Sequence, residues 1–209
     1  MLPFWAFLPV ALYLYLVPLF QARRLAVPFS ILLALSFFQA PSVLFAVVFG
    51  AVFYAIILIK DLLVIDRRSA YELLAFALAF LLLRAFYMRF NEGAAGAALI
   101  WSFIAAGALT LLLRSFIRCF RDDIVLHPRL SRAAYWLSFI LFWQVLIVGL
   151  FLPLDFIYQA VGIFLVIILI VDLVPQYLTG DMSRNKMLAA ATTVFALYAI
   201  ALSSARWGL

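Results

Sequence analysis

Leu154-Asp-Phe-Ile-Tyr-Gln-Ala-Val-Gly-Ile-Phe-Leu-Val-Ile-Ile-Leu-Ile-Val-Asp-Leu173 is the stretch that decides the fold. Between its two aspartates the polar interruptions are confined to Tyr158, Gln159 and Gly162. A helix rises 1.5 Å per residue and a bilayer's hydrocarbon core is about 30 Å thick, so about 20 mainly apolar residues cross it. Seven further runs of this kind occupy residues 4–20, 25–39, 42–63, 70–88, 94–117, 133–152 and 186–204. The second is the shortest. The sequence therefore predicts an all-α integral membrane protein with about eight transmembrane helices.

Composition points the same way. Of 209 residues, 70% are hydrophobic and 11% charged, where soluble domains carry about 25% charged residues. Too few polar side chains exist to cover a water-facing surface, as the mean hydropathy of +1.23 also indicates. Single copies of Cys119 and His127 exclude a disulfide framework and speak against zinc or haem, whose sites draw on several such ligands. No metal or other cofactor is expected.

The net charge of +6 would suggest nucleic acid in a soluble domain, but here it reads as membrane orientation. With eight crossings, 12 of the 15 basic residues fall on one side: Arg23, Arg24, Lys60, Arg67, Arg68, Arg114, Arg118, Arg121, Arg129, Arg132, Arg184 and Lys186. Only Arg84, Arg89 and Arg206 fall on the other. The positive-inside rule makes the first side cytoplasmic and puts both termini outside. The N-terminus lacks the basic region and small-residue cleavage site of a signal peptide. Short loops and a nearly absent soluble portion suit a prokaryotic plasma membrane.

The quoted stretch has an internal echo. Ile167-Ile-Leu-Ile170, Asp172 and Leu173 match Ile56-Ile-Leu-Ile59, Asp61 and Leu62, while Pro153 and Gly162 match Pro41 and Gly50. Trp5 pairs with Trp101, and Leu74-Ala75 with Leu188-Ala189, in the same order along the chain. A unit of four crossings returns to its starting side, so such repeats must be parallel, related by a two-fold along the membrane normal. The expected organisation is two parallel four-helix repeats, 1–91 and 92–209, the second with a cytoplasmic loop insertion at 118–132.

Local chemistry marks several boundaries. Pro41 and Pro153 sit at very short turns, and Pro175 is expected to stop the seventh span. Pro9, Pro18 and Pro28 should kink or end the first two helices. Ser69-Ala-Tyr-Glu72 has the spacing of a capping box at the start of the fourth span.

No ionisable residue lies near the middle of any span, which counts against an ion-coupled pump. Asp61 and Asp172 are the most informative acids, because the matched spans place each in a last cytoplasmic turn, where the helix dipole disfavours negative charge. The expected compensation is a salt bridge, from Lys60, Arg67 or Arg68 to Asp61 and from Arg184 or Lys186 to Asp172. The alternative is a shared polar site at the cytoplasmic mouth. In the loop at 118–132, arginines alternate with Phe120, Ile124, Val125 and Leu126, as an interfacial stretch over anionic lipid would. Arg118, Arg121, Arg129 and Arg132 are the candidate headgroup contacts. Cys119 as nucleophile or His127 as base is a weaker reading of the same loop. Asp122 and Asp123 read as solvated acids balancing those arginines.

Motifs that carry enzyme chemistry are missing. The chain has no phosphate-binding loop, dinucleotide fingerprint, His-Glu-x-x-His pair or Gly-x-Ser-x-Gly elbow. Thr179-Gly-Asp181 ends like the Gly-x-Gly-Asp motif of intramembrane aspartic proteases, but Leu178 stands where the first glycine belongs. The leading expectation is a non-enzymatic membrane component or scaffold assembling with other membrane proteins. A carrier or flippase for a lipid or small apolar molecule comes second, and a membrane enzyme acting on lipid at the cytoplasmic interface third. Expected partners are membrane lipids and other membrane proteins, with no nucleic acid.

Overall fold

The computed structural model describes residues 4–17, 22–38, 43–60, 67–91, 97–120, 128–179 and 183–204, some helix-end side chains excepted. These form eight helices: α1 (Phe4–Leu16), α2 (Ala22–Phe38), α3 (Val43–Lys60), α4 (Arg67–Asn91), α5 (Ala98–Phe120), α6 (Pro128–Leu150), α7 (Phe156–Thr179) and α8 (Arg184–Ser204). Five contain stretches long and apolar enough to cross a membrane: Ser69–Phe90, Ala98–Arg118, Arg132–Leu150, Phe156–Val174 and Arg184–Ser203. Shorter apolar stretches run over Leu25–Ser36 and Ala46–Ile59. This is a multi-pass helical membrane protein.

The seventh apolar span ends just before Pro175, as expected, although its helix runs on, and the expected cap of α4 is corrected. The apolar part of α7 ends at Val174, but the helix continues through Pro175 to Thr179. A proline forfeits one amide donor and crowds the carbonyl one turn earlier, and membrane helices tolerate this because other groups re-satisfy the freed oxygen. Asp172 consequently lies about two turns before the helix end, outside the last turn, where the terminal dipole acts. Similarly, α4 begins at Arg67, so Ser69 lies inside its first turn. A capping box requires its serine at the flanking position before the helix, so Ser69 and Glu72 do not form one. Pro9 and Pro28 lie inside α1 and α2, and Pro18 and Pro41 lie outside the described residues.

The chain divides into two compact units, residues 1–78 and 79–209, with the division inside α4. In the first, α2 packs against both α1 and α3. Tyr15 stacks flat on Phe29 with ring centroids 4.0 Å apart, and Phe29 meets Phe53 at 6.1 Å. Leu25, Phe29, Leu32 and Leu35 are the buried positions of α2 that recur at helical spacing.

In the second unit α5, α6, α7 and α8 pack in sequence, each on the next. The latter part of α4 joins them through Phe80, edge-on to Phe164 of α7 at 5.5 Å, and through Tyr87. The Tyr87 hydroxyl donates to the Leu146 carbonyl of α6 at 3.1 Å. Gly149 makes this possible, because a β-carbon there would collide with the phenol oxygen. Gly162 does the same on α7, where a β-carbon would come within 2.9 Å of the Tyr198 ring of α8. Glycine at membrane helix contacts allows such close approach.

The α6–α7 turn closes by hydrogen bonds. Phe151 and Leu152 donate to Val148 and Gly149, tightening the last turn of α6. The Asp155 carboxylate accepts the Phe156 amide at 2.8 Å, and Gln159 Nε2 returns to the Leu152 carbonyl at 2.9 Å. Polar residues at the start of the quoted stretch thus serve the turn and leave the following residues free to be apolar.

Candidate functional site

Two surfaces of the second unit carry chemistry. The first is the shared outer face of α5 and α6. Ser102, wholly buried, donates its hydroxyl to the Leu99 carbonyl at 2.8 Å and accepts the Trp143 indole N–H at 3.0 Å. That bond ties α5 to α6, which run antiparallel. Arg114 follows Ser102 by twelve residues on α5 and Arg132 precedes Trp143 by eleven on α6, so both lie toward the same end of the helix pair. Arg118 lies one turn nearer the helix end.

Arg114, Arg118 and Arg132 are all exposed. The Arg114 guanidinium lies 5.7 Å from the centroid of the Tyr135 ring, a cation–π distance. Among the described residues none of these three arginines has an acidic partner. Toward the other end of the same face, Phe103 meets Phe139 edge-on at 4.8 Å and Trp143 at 6.3 Å, and Trp136 meets Phe139 at 6.1 Å. Phe103 is 54% and Trp136 63% exposed, so the strip is open to whatever surrounds the bundle.

The second surface is α8. No residue between Arg184 and Ser203 is buried. Among the described residues its main support is α7, through residues such as Tyr198 at Gly162. Leu188, Phe195, Leu197 and Ile200 point away from the bundle, as do Thr192 and Thr193, whose hydroxyls turn back onto the Leu188 and Ala189 carbonyls. Ser183 caps the helix, accepting the Lys186 amide at 3.3 Å.

The residues singled out from sequence distribute as follows. Asp172 is exposed on α7, and among the described residues it makes no ion pair with Arg184 or Lys186, both exposed at the start of α8. Asp61 and Arg121 lie outside the described residues, as do Cys119's side chain, Asp122, Asp123, His127 and Asp181. Arg67, Arg68 and Arg129 fall in helices, with side chains outside the described set. Arg118 and Arg132 are both exposed and lie toward the same end of the α5–α6 pair. Sequence reasoning missed Arg114 and Tyr135 as their companions. Spacing offered a signal, since Arg114 and Arg118 are one helical turn apart. The described residues contain no cluster of three His, Cys, Asp or Glu able to hold a metal ion.

Compared with protein-family models, curated proteins and solved structures, the chain matches none.

Proposed function

We propose that the chain is a polytopic membrane component that acts by assembling with other membrane proteins. The observation that carries this reading is the uncovered α8. Its sequence counterpart, α4, buries Leu74 and Ala75, whereas the matched Leu188 is 51% exposed and Ala189 is exposed too. A face covered in one half and bare in the other is a face with room for a neighbour. Small and hydroxylated residues on it, Ala189, Thr192, Ala196, Ala199 and Ser203, suit close helix approach in lipid.

The reading includes eight crossings in two parallel repeats, 1–91 and 92–209, in a prokaryotic plasma membrane with both termini outside. Its support is that matched residues fall on matched helices. Trp5 and Trp101 lie on α1 and α5, Gly50 and Gly162 on α3 and α7, and Leu74-Ala75 and Leu188-Ala189 on α4 and α8. The 12 to 3 division of basic residues supports the orientation. A carrier for a lipid or small apolar molecule is the second reading, favoured by the same duplication, which is frequent among transporters.

Photo-crosslinking in the native membrane tests the assembly. A photoreactive residue at Thr192 or Phe195 of α8 should yield a crosslinked membrane polypeptide, and one at Tyr198, facing α7, should not. Lipid adducts alone at every α8 position would overturn the reading.

A further inference from the structure

We propose that the α5–α6 face is a binding site for one anionic phospholipid, its phosphate held by Arg114, Arg118 and Arg132 and one acyl chain lying over Gly107. This rests on the membrane setting and not on assembly through α8.

The arginines are placed for a phosphate. Arg114 lies a full turn inside the apolar stretch that ends at Arg118, and it is exposed. A cation at that depth is expensive unless it is paired or reaches the interface. Neither Arg114 nor Arg132 has an acidic partner among the described residues. Arg118, one turn closer to water, adds a third like charge, and like charges one helical turn apart repel. An anion seated among the three relieves both costs. Arginine also suits the task, because its planar fork presents paired donors to phosphate oxygens while its face stacks on an aromatic ring. Tyr135 supplies that ring to Arg114 at 5.7 Å, holding the guanidinium on the α6 side of α5.

Below the arginines the face offers a track for a hydrocarbon chain. Gly107 lies two turns from Arg114 on the same side of α5, about 10 Å along the axis. A β-carbon there would have nothing within 4 Å, so the helix surface is notched at this point. Phe103 and Phe139, in edge contact at 4.8 Å, stand just beyond the notch. A chain hanging from a phosphate at Arg114 would pass through the notch and end on these rings. The charge favours an anionic headgroup over a zwitterionic one, whose own cation would sit among three guanidinium groups.

Native mass spectrometry of the purified full chain, titrated with phosphatidylglycerol or phosphatidylcholine, is the test. The parent should retain one phosphatidylglycerol in preference to phosphatidylcholine. Retention should weaken about fivefold for each of Arg114→Gln, Arg118→Gln and Arg132→Gln, the effect of losing one interfacial charge. Gly107→Leu should weaken both lipids alike, because it fills the notch without touching the charge. Arg184→Gln, on α8, should change nothing. Circular dichroism melts accompany each variant, and Arg114→Lys, which keeps the charge, serves where Arg114→Gln fails to fold. Equal retention of the two lipids, parent-like binding by the three Gln variants, or an equal loss in Arg184→Gln would overturn the proposal.

Discussion

Trp143 donates its indole N–H to the hydroxyl of Ser102 at 3.0 Å, across the α5–α6 contact and with Ser102 wholly buried. Both donors are used, since the serine proton goes to the Leu99 carbonyl. The bond ties α5 to α6, and Arg114 and Arg132 lie toward the same end of that pair, twelve and eleven residues from it.

Ser102→Ala removes the acceptor and leaves the indole N–H without its partner. Interhelical hydrogen bonds in membranes contribute about 0.6 kcal/mol on average and up to about 1.7. The variant should lose about 1 kcal/mol in a denaturant-micelle titration. Trp143→Phe should lose more, because the smaller ring also gives up packing, and adding Ser102→Ala to it should cost little further. Full additivity would show that the bond is not formed.

Gly149→Ala places a methyl group against the Tyr87 hydroxyl, and overpacking of this kind costs about 1–3 kcal/mol. Tyr87→Phe loses one hydrogen bond to Leu146 but removes the nearest clashing atom. The double variant should therefore be more stable than the sum of the two losses allows, by more than about 0.5 kcal/mol. Strict additivity in thermal unfolding would contradict the Tyr87–Gly149 contact.

Orientation is open to cysteine labelling in a Cys119→Ser background. Gly93→Cys should react with an impermeant reagent applied outside the cell, and Ser183→Cys should not. The reverse pattern would invert the topology, and reactivity at both would change the number of crossings.

Asp172 is exposed and has no ion pair among the described residues, so Asp172→Asn should alter stability by no more than about 0.5 kcal/mol. Asp61→Asn should behave alike if the two halves are duplicates. Both variants should insert and assemble as the parent does. Loss of assembly or ligand retention in both, with folding intact, would mark the two acids as a shared polar site.

Much of the helical plan was legible because twenty-residue apolar runs have few alternatives: each expected segment overlaps a helix, and five of these helices are long and apolar enough to cross a membrane. Ends were harder. Pro175 reads as a stop under rules drawn from helix interiors in water, yet α7 passes through it. Ser69 and Glu72 have the right spacing for a cap, but spacing does not say which residue opens the helix. At the α5–α6 end, Arg118 and Arg132 could be picked out as interfacial bases. Arg114 lies one turn from Arg118 on α5, but its contact with the Tyr135 ring of α6 is a cross-helix one that leaves no trace in one-dimensional spacing. The seats of Tyr87 at Gly149 and Tyr198 at Gly162 escaped notice for the same reason.

The hydroxyls of Ser102, Thr110, Ser138, Thr192 and Thr193 all donate to carbonyls within their own helices. Each of these helices therefore enters hydrocarbon with those groups already satisfied, needing no neighbour to shield them. During synthesis the segments can leave the insertion machinery one at a time, and the bonds from Trp143 to Ser102 and from Tyr87 to Leu146 can form afterwards, once the segments meet in lipid.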